Sequence, residues 1–364
     1  MIMRLLITTL LLLCFVAKAT AQSNTVFTDL YTLKDDAQHK PLRVRATNIN
    51  FFKNNEYFGN YVEGYTLLGY RLKPTLHYTV DSALTVEAGA ELVQFGGTDK
   101  YHKVYPVLCA TWRINPTFTL TMGSIKGSTY HDLPEAILDP ERQLSSRPET
   151  GVQVEARHGS ITGEVWLDWQ SFIFKGDTIP ERFMAGVGLT YEPESRSAWQ
   201  IRVPLRLTAS HIGGQISDYA ERMQSLANVS VAFDLTHKGT NGSYGFEAEG
   251  LYFYTMTGSG VRPFGRGWAL HPKVKASYKL IDATAGLYHA RNFFALHGNP
   301  LYMSLSDYNP RIYNRTRNMF TLEANLNHKI NRQARFALNA KCYYDTGDSQ
   351  LEYYYGFYLV ITTL

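Results

Sequence analysis

The chain has 364 residues, a formal net charge of +4 and 13% aromatic residues, with 25 tyrosines among them. So mild a basic excess argues against a nucleic-acid-binding protein. Beyond the first 20 residues only Cys109 and Cys342 are present, which is too few for a disulfide framework.

The N-terminus has the pattern of a secretory signal peptide. Arg4 precedes an apolar run from Leu5 to Val16, and a small-x-small cleavage pattern ends at Ala21. The run is shorter than the roughly 20 apolar residues of a membrane helix, and the leucines before Cys14 differ from the small residues of a lipoprotein site. We expect a signal peptide over 1–21, a periplasmic leader over 22–40 and a barrel domain over 41–364.

From residue 41 onward, apolar and polar residues alternate with the period of a β-strand. In residues 84–92 one face is wholly apolar, and the other carries Thr85, Glu87, Gly89 and Glu91. The same alternation recurs in residues 199–208 and 320–327. A soluble antiparallel sheet has this pattern too, so alternation alone leaves the class of sheet open.

The connections between the predicted strands alternate in length. Short ones are predicted at 81–83, 115–117, 159–160, 193–197, 239–242, 280–282 and 331–332. The intervening ones are mostly long: 129–149, 174–181, 211–224, 258–265 and 294–314, with brief exceptions near Gly97 and Gly347. This asymmetry is typical of outer-membrane barrels, which have tight periplasmic turns and longer outer loops.

The segments between these connections give fifteen strands from residue 64 to the end. Bacterial single-chain barrels have even strand numbers, and residues 41–52 supply one more strand. The sequence predicts an all-β, transmembrane, antiparallel up-and-down β-barrel of about 16 strands, with 14 as the alternative. Four prolines inside predicted strands indicate bulges or local breaks: Pro74, Pro106, Pro204 and Pro272.

The predicted topology also places aromatic residues near both ends of the strands, as in the girdles of membrane barrels. The last strand, within LEYYYGFYLVITTL, has Gly356 followed by spaced apolar residues. Together with the signal peptide and the repeated strand pairs, these features resemble Gram-negative outer-membrane β-barrel proteins of the porin-like kind. The resemblance implies a location in the bacterial outer membrane and a last strand that is read by the barrel-insertion machinery and pairs with residues 41–52.

With apolar faces toward lipid, many charged residues face the lumen, and burying so many unpaired charges in a dry core is prohibitive. We therefore expect a water-filled or densely ion-paired lumen. The predicted lining residues are Arg43, Arg45, Arg71, Lys73, Glu87, Glu91, Glu164, Asp168, Arg202, Arg206, Glu247, Glu249, Lys273 and Lys275.

The long loop around residues 128–149 is the third outer connection. In general diffusion porins, which the strand count resembles, the third loop folds inward and sets acidic residues against arginines of the wall. By that resemblance Asp132, Glu135, Asp139 and Glu141 form a constriction facing Arg43, Arg45 and Arg71. The alternative is an exposed acidic loop.

Catalytic residues are not predicted. Ser210, His211 and Asp218 lie together near the outer rim, but neighbouring residues of a strand point to opposite faces, so Ser210 and His211 would not form a nucleophile–base pair. The carboxylate pairs Glu87–Glu91 and Glu247–Glu249 are ordinary for a charged wall. The histidines have no metal-ligand spacing, and no cofactor or metal is expected.

The sequence predicts a non-enzymatic, passive channel for small hydrophilic solutes. The first alternative is a non-conducting barrel subunit of a larger outer-membrane assembly, and a weaker one is an outer-membrane lipid hydrolase. The expected partners are outer-membrane lipids and lipopolysaccharide, the insertion machinery during assembly, and either a homo-oligomer or other outer-membrane proteins. Nucleic acid is not among them.

Overall fold

A computed structural model describes residues 41–214, 216–309 and 311–363. Sixteen antiparallel strands form a closed barrel. They are β1 (Leu42–Glu56), β2 (Tyr65–Thr79), β3 (Leu84–Phe95), β4 (Lys103–Arg113), β5 (Phe118–Ser124), β6 (Thr150–His158), β7 (Ile161–Ser171), β8 (Glu181–Tyr191), β9 (Trp199–Gly213), β10 (Gln224–Lys238), β11 (Gly242–Thr257), β12 (Arg266–Tyr278), β13 (Ile281–Arg291), β14 (Thr316–Lys329), β15 (Ala334–Asp345) and β16 (Gln350–Thr363). Sixteen is confirmed, and 14 is excluded.

The barrel closes between its first and last strands. Each strand pairs with the next along the chain, and β1 pairs with β16 in a register that places Phe52 opposite Phe357. β1 begins where the sequence placed it but continues to Glu56, beyond the predicted end at residue 52. Closure leaves no unpaired strand edge, because lipid offers no hydrogen bonds to an open edge.

The short turns at the periplasmic end share a local cause. The side-chain Oδ1 of Asp81 accepts the backbone N–H groups of residues 83 and 84 at 2.7 and 2.8 Å. Asn115 and Asn331 make the same pair of bonds to the residues two and three positions ahead. An Asx side chain that caps its own turn lets two strands reverse within a few residues.

The pleat gives each strand a lipid face and a lumen face. On β16, Tyr353, Tyr355 and Phe357 are exposed on the outside, whereas Tyr354 and Tyr358 are buried inside. The wall follows the predicted alternation because successive side chains of a strand point to opposite faces.

Prolines interrupt the ladder without breaking the strands. The register of β2 with β3 has a gap at Pro74, that of β9 with β10 at Pro204, and that of β12 with β13 at Pro272. Each gap affects the pairing on one side of the strand, which is the expected effect of a residue without an N–H donor.

Two long outer loops fold into the barrel and fill its outer half. Residues 125–149 contain a 3₁₀ helix (Ser128–His131) and a short helix α1 (Arg142–Ser145), and residues 292–315 contain a 3₁₀ helix (Pro300–Tyr302). The loops meet at a bridge between Leu138 and His297. Ile137, Leu301 and Tyr302 belong to the largest buried cluster, together with wall residues such as Phe253. In the part of the chain that the structure describes, no helix is long and apolar enough to cross a membrane.

Candidate active site

The lipid-facing side of β7 to β10 carries a row of four residues in register near the outer rim. Trp169 of β7 lies opposite Phe183 of β8, Phe183 opposite His211 of β9, and His211 opposite Ser225 of β10. Each belongs to the outward series of its strand, since its neighbours Asp168, Met184, Ser210 and Leu226 are buried on the inner side. The row sets two polar groups of catalytic type beside two aromatic rings.

A hydrogen bond joins the two polar members of this row. The Nδ1 atom of His211 lies 2.9 Å from the Oγ atom of Ser225. The imidazole ring also stacks on Phe183, with ring centroids 4.8 Å apart and planes at 20°. An imidazole held against a hydroxyl at this distance can take the hydroxyl proton as a general base.

A β-bulge lies at the serine. Ser225 pairs with Thr257 of β11, but the next residue, Leu226, pairs with Thr255, so one extra residue of β11 stands opposite this step. Bulges re-aim side chains and are common next to active sites. The local irregularity therefore helps to present Ser225 on the outer surface.

Glu181 lies on the outward series of β8, two residues before Phe183, and pairs with Gly213. A Cβ atom at position 213 would lie 3.4 Å from Nε2 of His211 and 2.6 Å from Cγ of Met223. Nε2 of His211 therefore lies beside Gly213, the residue that pairs with Glu181. Glu181 is thus the carboxylate of β8 in register with this end of β9.

Sequence reasoning named His211 but not its partner. Ser210 is buried on the lumen side, at 5% exposure, and the Asp218 backbone N–H bonds to Asp177 in the loop between β7 and β8. Ser225 lies 14 residues from His211 in sequence. The two meet only through the register of β9 with β10, which no local motif encodes.

The predicted lining residues lie on the inward series of their strands, and many are paired. Salt bridges join Arg71 to Glu91 at 2.5 Å, and Lys73 to Glu87 at 3.0 Å. On the opposite wall, Lys273 binds Glu247 at 2.8 Å and Glu249 at 2.9 Å, and Lys275 binds Glu247 at 3.1 Å. Further ones are Arg147 with Asp168 and both Arg202 and Arg206 with Asp132. Pairing of this density offsets much of the cost of burying the charges.

The acidic residues of the third outer loop face different partners from those expected. Glu141 binds Lys53 at 2.5 Å, Glu135 binds Lys341, and Asp132 binds Arg202 and Arg206. The Oδ1 atom of Asp139 accepts the Glu141 backbone N–H at 2.9 Å.

Of the three arginines predicted to face this loop, Arg71 bonds to the backbone carbonyls of Gln143 and Ser146, at 2.8 and 2.7 Å. Arg43 and Arg45 lie at the periplasmic end of β1, far along the strand from Lys53. The salt bridges recorded for the loop carboxylates are therefore with Lys53, Arg202, Arg206 and Lys341, and the predicted pairing with Arg43 and Arg45 is corrected. That these residues line or constrict a conducting pore remains a prediction.

A second histidine, His131, anchors the third loop on the inner side of the wall. Its ring nitrogens lie 2.9 Å from Glu149 and 3.1 Å from Glu164, and its ring stacks on Trp166 at 3.9 Å. Burial disfavours the imidazolium, but the two carboxylates outweigh burial, so the pKa of His131 is raised to about 9. His131 is fully buried with both nitrogens engaged, and it therefore has no free position for a substrate.

Three solved structures share the fold at low sequence identity. They are a loop-deletion form of OmpT, an outer membrane protein of Vibrio cholerae (12% identity, TM-score 0.52, 88% of this chain and 99% of that one), OprD from Pseudomonas aeruginosa (9%, 0.52, 89% and 93%) and OprB of Pseudomonas putida (8%, 0.53, 89% and 94%). These likenesses show an outer-membrane barrel fold.

A comparison with the curated proteins gave no match. The model of a family described as lipid A 3′-O-deacylase-type matches residues 34–364. The family and the fold place the protein in the bacterial outer membrane. The prediction that the protein is not an enzyme is wrong, because the matching family is one of deacylases. Since the match spans the whole barrel, the chain belongs to the lipid A 3′-O-deacylase-type family.

Proposed function

We propose that the protein is an outer-membrane ester hydrolase that removes an acyl chain from lipid A, with Ser225 as the nucleophile and His211 as the general base. The observation that carries the proposal is the 2.9 Å hydrogen bond between His211 Nδ1 and Ser225 Oγ on the lipid-facing surface. The family description supports the choice of substrate. The outer rim supports it too, because the ester groups of an outer-leaflet lipid lie at that depth, between headgroup and hydrocarbon.

The reaction follows the general scheme of serine hydrolases. Ser225 Oγ attacks the ester carbonyl carbon while His211 Nδ1 takes the hydroxyl proton. The bond from the carbonyl carbon to the sugar oxygen breaks, and the imidazolium returns its proton to that oxygen. Water, activated by the same imidazole, then attacks the acyl-serine ester, which frees the fatty acid and restores the Ser225 hydroxyl.

Glu181 is assigned the role of the orienting carboxylate. It stands on the neighbouring strand, on the same outward face, and pairs with Gly213, which lies beside Nε2 of His211. A carboxylate on that side holds the ring orientation and stabilises the imidazolium that forms during attack. Nδ1 of His211 thus contacts Ser225, and Glu181 is the carboxylate assigned to Nε2 when the substrate is bound.

The aromatic members of the row suit a lipid substrate. Trp169 stacks on Phe183 at 5.4 Å, and Phe172 and Phe174 are 65% and 72% exposed just above it. Aromatic rings are favoured at membrane interfaces. They offer a surface along which acyl chains can lie while the ester reaches Ser225.

The test compares Ser225→Ala with Ser210→Ala in refolded protein in vesicles that contain lipopolysaccharide, with lipid A analysed by mass spectrometry. Wild type should release one ester-linked acyl chain, and Ser225→Ala should lower the rate by about 10³-fold or more. Ser210→Ala is the matched control, because this hydroxyl belongs to the same site region but faces the lumen, and it should keep the wild-type rate. A Ser225→Ala variant with unchanged activity would exclude Ser225 as the nucleophile.

A passive channel is the second candidate function, supported by the charged inner wall. The salt bridges of Lys273 and Lys275 and of Arg71 lie on this wall, and any solute would have to pass the loops that fill the outer half. Steady single-channel conductance of pure, folded protein in a planar bilayer would support it. A bilayer that shows no conductance would exclude the channel function. Other proteins that co-purify in stoichiometric amounts in mild detergent would instead support a role as a subunit of a larger assembly.

A further inference from the structure

The lipid-facing side of β1 carries carboxamides where a membrane barrel has apolar residues. Ile49 and Phe51 are buried on the lumen side, so Asn48 and Asn50 belong to the outward series. Gln94 of β3, paired with Tyr70, is a further outward carboxamide in the same row as Asn50.

The depth follows from the registers. Asn50 pairs with Tyr70, and eight residues further along β2 the girdle residue Tyr78 pairs with Leu42. On the other side Asn54, four residues from Asn50, pairs with Tyr355. With the usual rise and tilt of barrel strands, Asn50 lies roughly 20 Å from the periplasmic tyrosine and about 10 Å below the outer one. Asn48 and Asn50 therefore face the hydrocarbon region.

The hydrogen-bonding capacity of these side chains is only partly used. The Asn50 amide donates to Oδ1 of Asn48 and to the Leu359 carbonyl, at 3.4 Å for the latter, and the Asn48 amide donates to the Arg71 carbonyl at 3.4 Å. No donor within the described residues is recorded for Oδ1 of Asn50. Lipid chains cannot supply one, and an unsatisfied polar group is costly in hydrocarbon.

The surface beside Asn50 is shaped to receive a protruding group. A cavity of about 470 Å³ opens next to it, with Phe52, Leu68, Tyr70 and Phe357 among its lining residues. Phe52 packs against Phe357 and Tyr355 at centroid distances of 5.9 and 6.1 Å. The same patch therefore has a recess lined by aromatic side chains and, beside it, a protruding group of aromatic rings that a matching recess could receive.

We propose that this seam surface, formed by the outward residues of β1, β2 and β16 around Asn50, binds a second copy of this chain. A two-fold axis near Asn50 brings the patch against itself. A carboxamide is both donor and acceptor, so Asn50 of each copy satisfies Asn50 of the other. Interhelical hydrogen bonds help to hold membrane proteins together where apolar burial gives no driving force, and the same physical argument applies between two barrels in lipid. The surface lies across the barrel from His211 and does not depend on the proposed hydrolase activity.

The first experiment measures association in lipid vesicles by native mass spectrometry after mild-detergent release, at a series of protein-to-lipid ratios. Wild type should be dimeric, and Asn48→Leu/Asn50→Leu should dissociate at least tenfold more readily. The matched control is Leu322→Asn, which places a carboxamide on the lipid face of β14 instead of removing one; in the Asn48→Leu/Asn50→Leu background it should not restore the dimer. Heat-modifiability on gels establishes that each barrel is folded.

The second experiment keeps Asn48 and Asn50 and introduces a cysteine at a neighbouring position of the seam surface. In a Cys342→Ser background, which removes the native thiol on the lipid side of β15, Leu68→Cys beside Asn50 should form an oxidised dimer in native vesicles, and Val229→Cys on β10 should not. A monomeric wild type, an equally dimeric double-leucine variant or a different protein in place of the second copy would each overturn the proposal.

Discussion

Two histidines on opposite faces of one stretch of wall behave in opposite ways. His131 lies inside, fully buried between Glu149 and Glu164 and stacked on Trp166. His211 lies outside, half-buried, with Ser225 at one nitrogen and an open glycine position at the other. Both rings are held by stacking and by hydrogen bonds, so rigidity does not distinguish them.

The two histidines differ in the chemistry of the groups that their ring nitrogens contact. Glu149 and Glu164 bind the ring of His131 and stabilise its charged form, so that this residue anchors the third loop to the wall. The ring of His211 instead contacts the hydroxyl of Ser225, which becomes a nucleophile when the imidazole takes its proton. A lipid substrate can reach this hydroxyl from the membrane side. The inner region therefore contributes to stability and the outer region to chemistry, and each of the following predictions separates the two.

The largest effect is expected for His211→Ala. Deacylation should fall by about 10³-fold or more because Ser225 loses its base, whereas the free energy of unfolding should change little, since the ring lies on the outer surface. Initial rates from mass spectrometry and urea unfolding in vesicles measure the two quantities. A variant that loses stability in parallel with activity would place His211 in a structural role.

Glu141→Ala should affect the inner region alone. It leaves Lys53 buried beside Tyr354 without its carboxylate, and removing one partner of a buried pair costs about 3 kcal/mol or more. Unfolding in urea should reveal this loss, and the deacylation rate of the folded fraction should stay at the wild-type value. In the double variant Lys53→Met/Glu141→Met most of the stability should return, because no charge remains unpaired.

The inner histidine should also make stability depend on pH. The pKa of His131 is raised from its ordinary value of 6.5 to about 9 in the folded protein, so its contribution is fully present below pH 6.5 and is lost as the pH rises through 9. That contribution is about 3 kcal/mol by linkage. Urea unfolding between pH 6 and 10 should show the fall, and His131→Gln should flatten it. An unchanged slope in His131→Gln would show that other groups cause the dependence.

Gly213→Ala should have the smallest effect, on the outer region. The new methyl group would lie 2.6 Å from Cγ of Met223 and 3.4 Å from Nε2 of His211, so Met223 must move and the space beside Nε2 narrows. We expect kcat to fall about tenfold, since a misplacement of about 1 Å can cost about 10²-fold and the contact at 3.4 Å calls for a smaller shift of His211. Gly163→Ala on β7, where the nearest atom would be at 3.5 Å, is the control and should retain the wild-type kcat.

Much of the fold could be predicted because its determinants are local. The strand number, the alternation of short and long connections, the closing pair of strands and the inward position of the charged residues all follow from period-two patterning and turn residues such as Asp81 and Asn115. The effect of Pro74, Pro204 and Pro272 was also predictable, since a missing N–H acts wherever the residue is placed.

The candidate site was less accessible to sequence reasoning. His211 drew attention through its neighbour Ser210, but the pleat sends that hydroxyl to the lumen. The partners of Glu141 and Asp132 were assigned by resemblance to porins and proved to be Lys53 and the pair Arg202 and Arg206. The alternation of residues along β1 places Asn48 and Asn50 on the outer face, but their depth in the membrane depends on the pairing of β1 with β2 and β16.

By itself, the sequence determined that this chain forms a sixteen-stranded barrel with an apolar outside and a charged inside, because a strand's two faces are set by residues that are neighbours along the chain. Only the tertiary structure decided which hydroxyl meets His211, which carboxylates clamp His131 and where Asn50 lies in the membrane. Those contacts depend on the register between strands and on the path of loops inside the barrel, and register is a sum of many weak preferences that no short segment contains.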